Sequence, residues 1–444
     1  MRHAAPARYS PATVIALLLF AGGLMLSVCA VRLAVAGVPL RVALMMGCMG
    51  WLALTFPDKL AVGARKTWRA TWIILLFALL GIIVSIMAGT PPGDIVQQLI
   101  EIHLQGIVGL ILGATLIEIA GPAPVLGSFL LAWGISAVFA IGQALHINFA
   151  WSVRAMIGGL MHDPAVTQIA YVTRYRALGL SYTPVHLATQ SCLAFAGIFA
   201  YRLWITRGEA IRRLDWPTVT ALLGVMFVCA ASGNRSPLLG CVFFALIYAA
   251  LAARRTLVVA LPVVMLLGIA AVPMMSMLSS ANVRVASTDD GSAEGRATQR
   301  YYGMRLLMDQ PLGYGLSFES TEHWSRYADE VKYMANPMTI RNFALHNYFL
   351  MMLNKYGVLV LALALLLLPR SLAQLYCWIG FLPYIVHIFY HNDGPLQGDF
   401  FIWYLLPLCA IATRSIPTAP AKPSYLRPWT RSYRLQQMEA ARQR

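Results

Sequence analysis

Six arginines stand where their residue type could do chemistry. Arg174 and Arg176 lie in the stretch Thr173-Arg174-Tyr175-Arg176-Ala177-Leu178-Gly179-Leu180, just before an apolar run. Arg235 sits in the polar break Ser232-Gly233-Asn234-Arg235-Ser236 between two apolar runs. Arg300 and Arg305 fall in the longest polar stretch of the chain, and Arg341 just before the apolar run that ends it. A guanidinium keeps its charge in a protein and grips phosphate through two parallel N–H donors. Taken singly, each arginine reads equally as the partner of a nearby carboxylate or a lipid headgroup. Converging from three separated regions, they suit a common anion such as a lipid-linked phosphate or diphosphate. His346-Asn347 marks the return of the polar stretch into an apolar run, where an imidazole can serve as a general base near neutral pH or simply begin a helix. His391-Asn392-Asp393, followed by Gly394-Pro395, is either a second such cluster or a turn. His103, His146, His162, His186, His323 and His387 have no neighbour at metal-ligand spacing and form the background.

The absences narrow the chemistry. There is no DxD metal motif, and Asp289-Asp290 lies in a Gly/Ser patch. No phosphate-binding glycine fingerprint appears, so neither a metal nor a cofactor is expected. No string of carboxylates runs through the apolar segments, as a proton-coupled carrier would need.

The elements that must position these residues follow from composition. Of 444 residues 59% are hydrophobic and 12% charged, with mean hydropathy +0.66. An ordinary soluble domain carries about 25% charged residues, so a disordered chain, a coiled coil and a cytosolic enzyme are excluded. A membrane-crossing helix needs about 20 mostly apolar residues. Twelve segments qualify, near 11–33, 39–56, 70–88, 104–119, 124–144, 184–205, 217–232, 237–253, 256–277, 347–369, 372–390 and 398–413. The expected fold is therefore an all-α polytopic membrane protein. The first apolar stretch reads as a retained span and not a cleaved signal. The fourth is weakened by Glu101, His103 and Gln105, and the seventh and eighth form either a tight hairpin or one broken helix. Seven cysteines, all inside apolar runs without CxxC spacing, read as small fillers.

Net charge is +16. With the N-terminus inside, the cytoplasmic side holds 20 basic and 5 acidic residues, and the outer side 14 and 13. The positive-inside bias therefore predicts both termini in the cytoplasm. The expected organisation is nine spans over 1–277 with an outer loop near 145–183, a large outer loop over 278–346, three spans over 347–413, and a basic tail over 414–444. Within the large loop, Arg296–Met308 predicts an amphipathic helix at the membrane surface, its apolar stripe formed by Tyr301, Met304 and Met308.

These residues resemble the bacterial O-antigen ligase and polymerase superfamily of membrane glycosyltransferases. An Arg-x3-Leu pattern runs from Arg176 to Leu180 and is repeated from Arg235 to Leu239. The break at 232–236 is similar to the family's Gly-x-Arg stretch. The ligase pattern of His-Asn, nine residues, then Gly is met by His346, Asn347 and Gly357, and Pro311-Leu312-Gly313-Tyr314-Gly315 is similar to the preceding family loop. Val360 stands where the ligase pattern has Gly, Thr or Tyr.

The resemblance implies transfer of a glycan from undecaprenyl diphosphate to a sugar hydroxyl, most typically of lipid A–core, at the periplasmic face of the inner membrane. It implies an inverting, metal-independent reaction. In that picture His346 is the base, with Arg176 and Arg235 catalytic. Arg174, Arg176, Arg235, Arg300 and Arg305 hold the diphosphate, and Asn347, Arg341 and Tyr314 orient or receive the acceptor. The open alternatives are an O-antigen or exopolysaccharide polymerase, a protein O-oligosaccharyltransferase, a lipid-linked sugar transporter and an envelope scaffold. No nucleic-acid partner is implied.

Overall fold

The computed structural model describes residues 9–29, 34–35, 38–160, 176–252, 291–397 and 401–416. Arg174, the expected ninth span at 256–277, the start of the large loop at 278–290 and the tail from 417 lie outside the described residues.

The described chain is helical apart from two antiparallel two-residue strands, Ala34–Val35 and Val38–Pro39. The first helices are α1 (Pro11–Val28), α2 (Leu40–Thr55) and α3 (Pro57–Met87). A turn leads to α4 (Pro92–Gln98), which passes through a π-helical segment, Leu99–Leu104, into α5 (Gln105–Ala120). Then come α6 (Pro122–Ala144), α7 (Asn148–Leu160), α8 (Pro184–Ile205), the short α9 (Glu209–Arg212), α10 (Trp216–Ala231) and α11 (Arg235–Ala252). The polar region contains α12 (Gly291–Asp309), α13 (Ala328–Val331) and α14 (Thr339–Asn342). The chain closes with α15 (Tyr348–Tyr356), α16 (Val360–Ala364), α17 (Leu372–Gly380), α18 (Leu382–Phe389) and α19 (Phe401–Ser415).

Among the described residues, five helical stretches are long and apolar enough to cross a membrane. A sixth arises if the pair Val360–Leu367 and Leu372–Gly380, bent by 107°, is one broken span. Several expected spans differ from this in physical detail. The third begins at Pro57, because Asp58 to Arg69 continue the helix as a charged first half. The fourth begins at Pro92, because the π-helical widening absorbs Glu101 and His103 without ending the helix. The seventh and eighth are separate helices, since Gly233 adopts φ +68° and reverses the chain. The tenth is broken at Gly357, φ +73°.

Small residues bring the helices close, as membrane packing favours. A Cβ at Gly113 would lie 2.8 Å from the Tyr404 carbonyl of α19, and one at Gly240 would lie 2.6 Å from Pro383 of α18. Gly23 faces Met45. α8 is buried along most of its length and forms the centre of the bundle. All seven cysteines are buried and unbridged.

The two ends of the bundle differ. One end gathers the ion pairs Lys66–Glu118 and Arg202–Asp215. The other carries the turn after α10, the irregular segment 176–183 and the polar region 291–347. That region has its own apolar core, including Tyr302, Leu306, Tyr327, Ile340 and Leu345. The expected helix over 296–308 is present within α12, but its buried face is Thr298, Gln299, Tyr302 and Leu306. Tyr301, Met304 and Met308, the expected apolar stripe, are exposed.

The polar region is clamped to α15. Tyr314 and Gly315 donate backbone N–H groups to the Asn354 and Lys355 carbonyls at 2.8 and 3.0 Å, and Leu316 donates to Ser85 Oγ at 2.7 Å. Gly313 and Gly357 meet backbone to backbone, and a Cβ at Gly357 would stand 2.4 Å from the Leu312 carbonyl. Gly357→Ala combines that clash with a left-handed φ, worth about 1–3 kcal/mol by itself. It should lower the thermal unfolding midpoint of the detergent-solubilised protein and expose 311–315 to protease. A midpoint equal to the parent's would show that the clamp tolerates a side chain.

Candidate active site at the polar end of the bundle

Segment 176–182 has no helix of its own, so side chains must satisfy its backbone. Gln143 of α6, 1% exposed, accepts from the Leu178 and Gly179 amides at 2.9 Å each and donates to the Gly179 carbonyl at 3.0 Å. Ser136 Oγ, about two turns earlier on α6, accepts from Leu180 N–H at 3.0 Å. Gly179 has φ +58°, and a Cβ there would lie 2.2 Å from the Ser136 carbonyl, so only glycine fits.

This frame delivers Arg176 to the turn between α10 and α11. Its Nε donates to the Ser232 carbonyl at 3.1 Å and its Nη2 to Asn234 Oδ1 at 2.8 Å. Asn234 is itself held by its amide, which donates to the Pro184 carbonyl at 2.8 Å. Gly233 lets the guanidinium lie against the turn, since a Cβ there would meet Arg176 Nε at 3.2 Å. Arg235 is exposed and opens α11, so its charge and the helix N-terminus both favour an anion at this spot. Arg176 and Arg235, distant in sequence, are thus neighbours.

His346 approaches from the polar region. Its backbone N–H donates to Gln299 Oε1 at 3.2 Å, and its Nδ1 lies 2.8 Å from the Ala344 carbonyl. A carbonyl only accepts, so Nδ1 carries the proton and Nε2 of the neutral ring keeps its lone pair. Burial lowers the pKa of His346. The nearby Arg296 cation lowers it further, while the Ala344 hydrogen bond and Asp393 act in the opposite direction. Asn347 Oδ1 accepts from Leu350 N–H at 2.9 Å and caps α15, so Ala344 and Gln299 are the groups that fix His346.

Groups absent from the sequence-derived site set complete the cluster. The His391 ring lies 6.1 Å from that of His346 and 4.5 Å from that of His387. Burial first, then His387, Arg296, His346 and Arg176, holds the His391 pKa well below the ordinary value. Arg176 and Arg296 therefore both act electrostatically on His391. His387 ties α18 to its neighbours, with Ser236 Oγ 3.0 Å from Nδ1 and Thr189 Oγ1 3.1 Å from Nε2. His186 Nε2 lies 3.8 Å from Asp393 Oδ2. The repeated His-Asn pair at 346–347 and 391–392 was the available signal for His391. Nothing in the sequence distinguished Arg296 from its helical neighbours.

The other residues read from sequence make contacts of their own within the polar region. Arg305 pairs with Glu330 at 3.0 Å on an exposed face, and Arg300 is exposed on the same helix. Arg341 lies over the Trp324 ring at 5.0 Å. Tyr314 donates its hydroxyl to the Leu306 carbonyl at 3.0 Å and stacks on Phe318. Among the described residues no group of three His, Cys, Asp or Glu could hold a metal ion.

The O-antigen ligase family model matches residues 218–365, one third of the chain. This match supports the O-antigen ligase and polymerase superfamily. The matched segment includes Arg235, Arg296, His346 and Gly357; Arg176 and His391 stand outside it and join it in space. A search of curated proteins found no match. The apolar helices and the family together point to a membrane protein, and the family implies lipid-linked glycan substrates.

Gln143→Leu keeps the volume and removes the acceptor for two buried amides, each worth about 1–3 kcal/mol when left unmade. It should lower the unfolding midpoint and speed proteolysis between 176 and 182. A parent-like cleavage pattern would mean that Gln143 does not hold the segment.

Proposed function

We propose that the protein is an O-antigen ligase of the bacterial inner membrane. It moves a glycan from undecaprenyl diphosphate to a sugar hydroxyl of lipid A–core at the periplasmic face. The observation that carries this reading is His346: its Nε2 is unprotonated, its ring lies 6.1 Å from that of His391, and it stands in a segment matched by the ligase family, with Arg296 acting on both rings and Arg176 on His391. The apolar runs support a reading of twelve spans and the charge bias one of both termini in the cytoplasm; on that reading this end of the bundle faces the periplasm, with the 278–346 loop over the acceptor.

The reaction then balances simply. His346 Nε2 takes the proton of the acceptor hydroxyl. The freed oxygen attacks the anomeric carbon from the face opposite the diphosphate, and the anomeric carbon–oxygen bond breaks with inversion. The departing diphosphate gains one negative charge. Arg176 and Arg235, aided by the α11 N-terminus, stabilise that charge without a metal. Arg296 extends the cationic surface, and Arg174 and Arg300 are proposed to contact the diphosphate at its rim; Arg305, expected from sequence to join them, would first have to leave Glu330. Asn347, Arg341 and Tyr314 shape the acceptor side. Arg341 and Tyr314 do so from the polar region, where their contacts with Trp324 and Leu306 hold them.

Polymerisation on the same carrier is favoured by one observation, Val360 at the position where the ligase pattern has Gly, Thr or Tyr. A strain lacking the gene separates the two. Bare lipid A–core with long carrier-linked chains means a ligase; a single repeat unit on the core means a polymerase.

His346→Ala should reduce transfer by about 10²–10⁴-fold, and Arg235→Ala by about 10²–10³-fold, with both variants inserted at parental levels. Full activity in either refutes that residue's role. The base must be neutral, and its pKa lies below the ordinary histidine value of about 6.5. The kcat/KM is therefore expected to hold through neutral pH and to fall only on the acid side of that value. Arg296→Gln removes a positive charge that lowers the His346 pKa, so the acid limb should move to higher pH. An unmoved limb would separate Arg296 from His346.

A further inference from the structure

Arg154 of α7 is 1% exposed, the most deeply buried arginine among the described residues. Its Nη2 donates to the Tyr182 carbonyl at 3.4 Å, a long bond. Nε and Nη1 are buried and make no hydrogen bond. No carboxylate among the described residues forms an ion pair with it. Its surroundings are apolar: Cys29 and Leu180 are buried in one cluster, and Val153 and Ile157 flank it from α7. A guanidinium cannot shed its charge, and leaving that charge unpaired in such a place costs several kcal/mol. Two buried donors with no protein acceptor therefore ask for an anion that arrives with its own apolar cover.

We propose that Arg154, a cation the transfer reaction above does not use, takes the phosphate of a membrane-anchored lipid through Nε and Nη1. The location fits this chemistry. Arg154 holds the Tyr182 end of the segment whose other end carries Arg176. It lies at the polar end of the bundle, where α1 and α6 present apolar side chains to the same cluster. A lipid phosphate there keeps its chain against those helices and its charge on the guanidinium. The donor's diphosphate and a phospholipid headgroup share the required group.

The test reads lipid binding and no transfer, so it stands or fails apart from the ligase reading. The full-length protein in phosphatidylcholine nanodiscs is titrated with undecaprenyl diphosphate or with phosphatidylglycerol, and its unfolding temperature is followed. Arg154→Gln should raise the half-saturating concentration of at least one lipid by about tenfold or more, the worth of one charge-assisted hydrogen bond pair. Arg154→Lys, which keeps the charge, should retain most of the binding and serves if the glutamine variant folds poorly. An effect confined to the diphosphate lipid makes the site part of the donor cradle. One confined to phosphatidylglycerol makes it a headgroup site. Unchanged half-saturation for both lipids overturns the proposal. So does Arg154→Met binding like the parent, which would reduce the residue to packing.

Discussion

Irregular backbone at the end of a membrane bundle is tolerated only where protein groups satisfy it. Segment 176–182 meets that constraint through two side chains of one helix, Gln143 and Ser136, and through the one residue type that fits at 179. Everything polar at this end depends on that arrangement. It fixes where Arg176 leaves the backbone, and Arg176 in turn covers the Ser232 carbonyl and the Asn234 amide oxygen. The turn so held starts α11, which sets Arg235 beside Arg176 and Ser236 beside His387. A polar network in a low-dielectric setting is stable only when complete, and this one passes from α6 through α8 and α11 to α18 without an interposed charge pair.

The second half of the site is delivered by a different device. The polar region packs on its own core and is joined to the bundle by backbone bonds from 314 and 315 to the end of α15. The glycines at 313 and 357 serve that close approach. Gly357 therefore has a packing reason to be in the ligase-like pattern, whatever the chemistry nearby. His346 lies just before the cap of the same helix. The clamp at one end of α15 thus determines the position of the imidazole at the other.

Much of this was legible in the sequence, for physical reasons that can be named. Apolar runs announce helices because a bilayer demands length and composition. The paired basic turns stood out because arginine is scarce at the outer ends of spans. The helix over 296–308 followed from its periodicity. Its orientation did not, because Tyr302 and Leu306 are as apolar as Tyr301 and Met304, and only the glycines at 295 and 303 mark the face that Thr339 and Leu350 approach. The continuous helix from Pro57 was hidden by its charged first half, and the π-helical turn by its polar side chains. Arg154 was invisible, since a lone arginine in an outer loop reads as solvated.

Orientation on α12 also sorts its arginines by role. At about 100° per residue, Arg296 and Arg305 are on opposite faces, and Arg300 is about 40° from Arg296, one turn on. The face of Arg296 is the one from which Gln299 reaches the His346 amide. The opposite face carries Arg305 to Glu330, a mutually satisfied and exposed pair. Two cations on one helix thus differ in what they can do for an incoming anion. Arg296 adds positive potential where His346 and His391 stand, and keeping those rings neutral preserves the lone pair that general-base chemistry requires. On the proposed reaction, the same charge that would attract a diphosphate would also maintain the base that deprotonates the acceptor, so that donor binding and acceptor activation would be coupled through a single side chain.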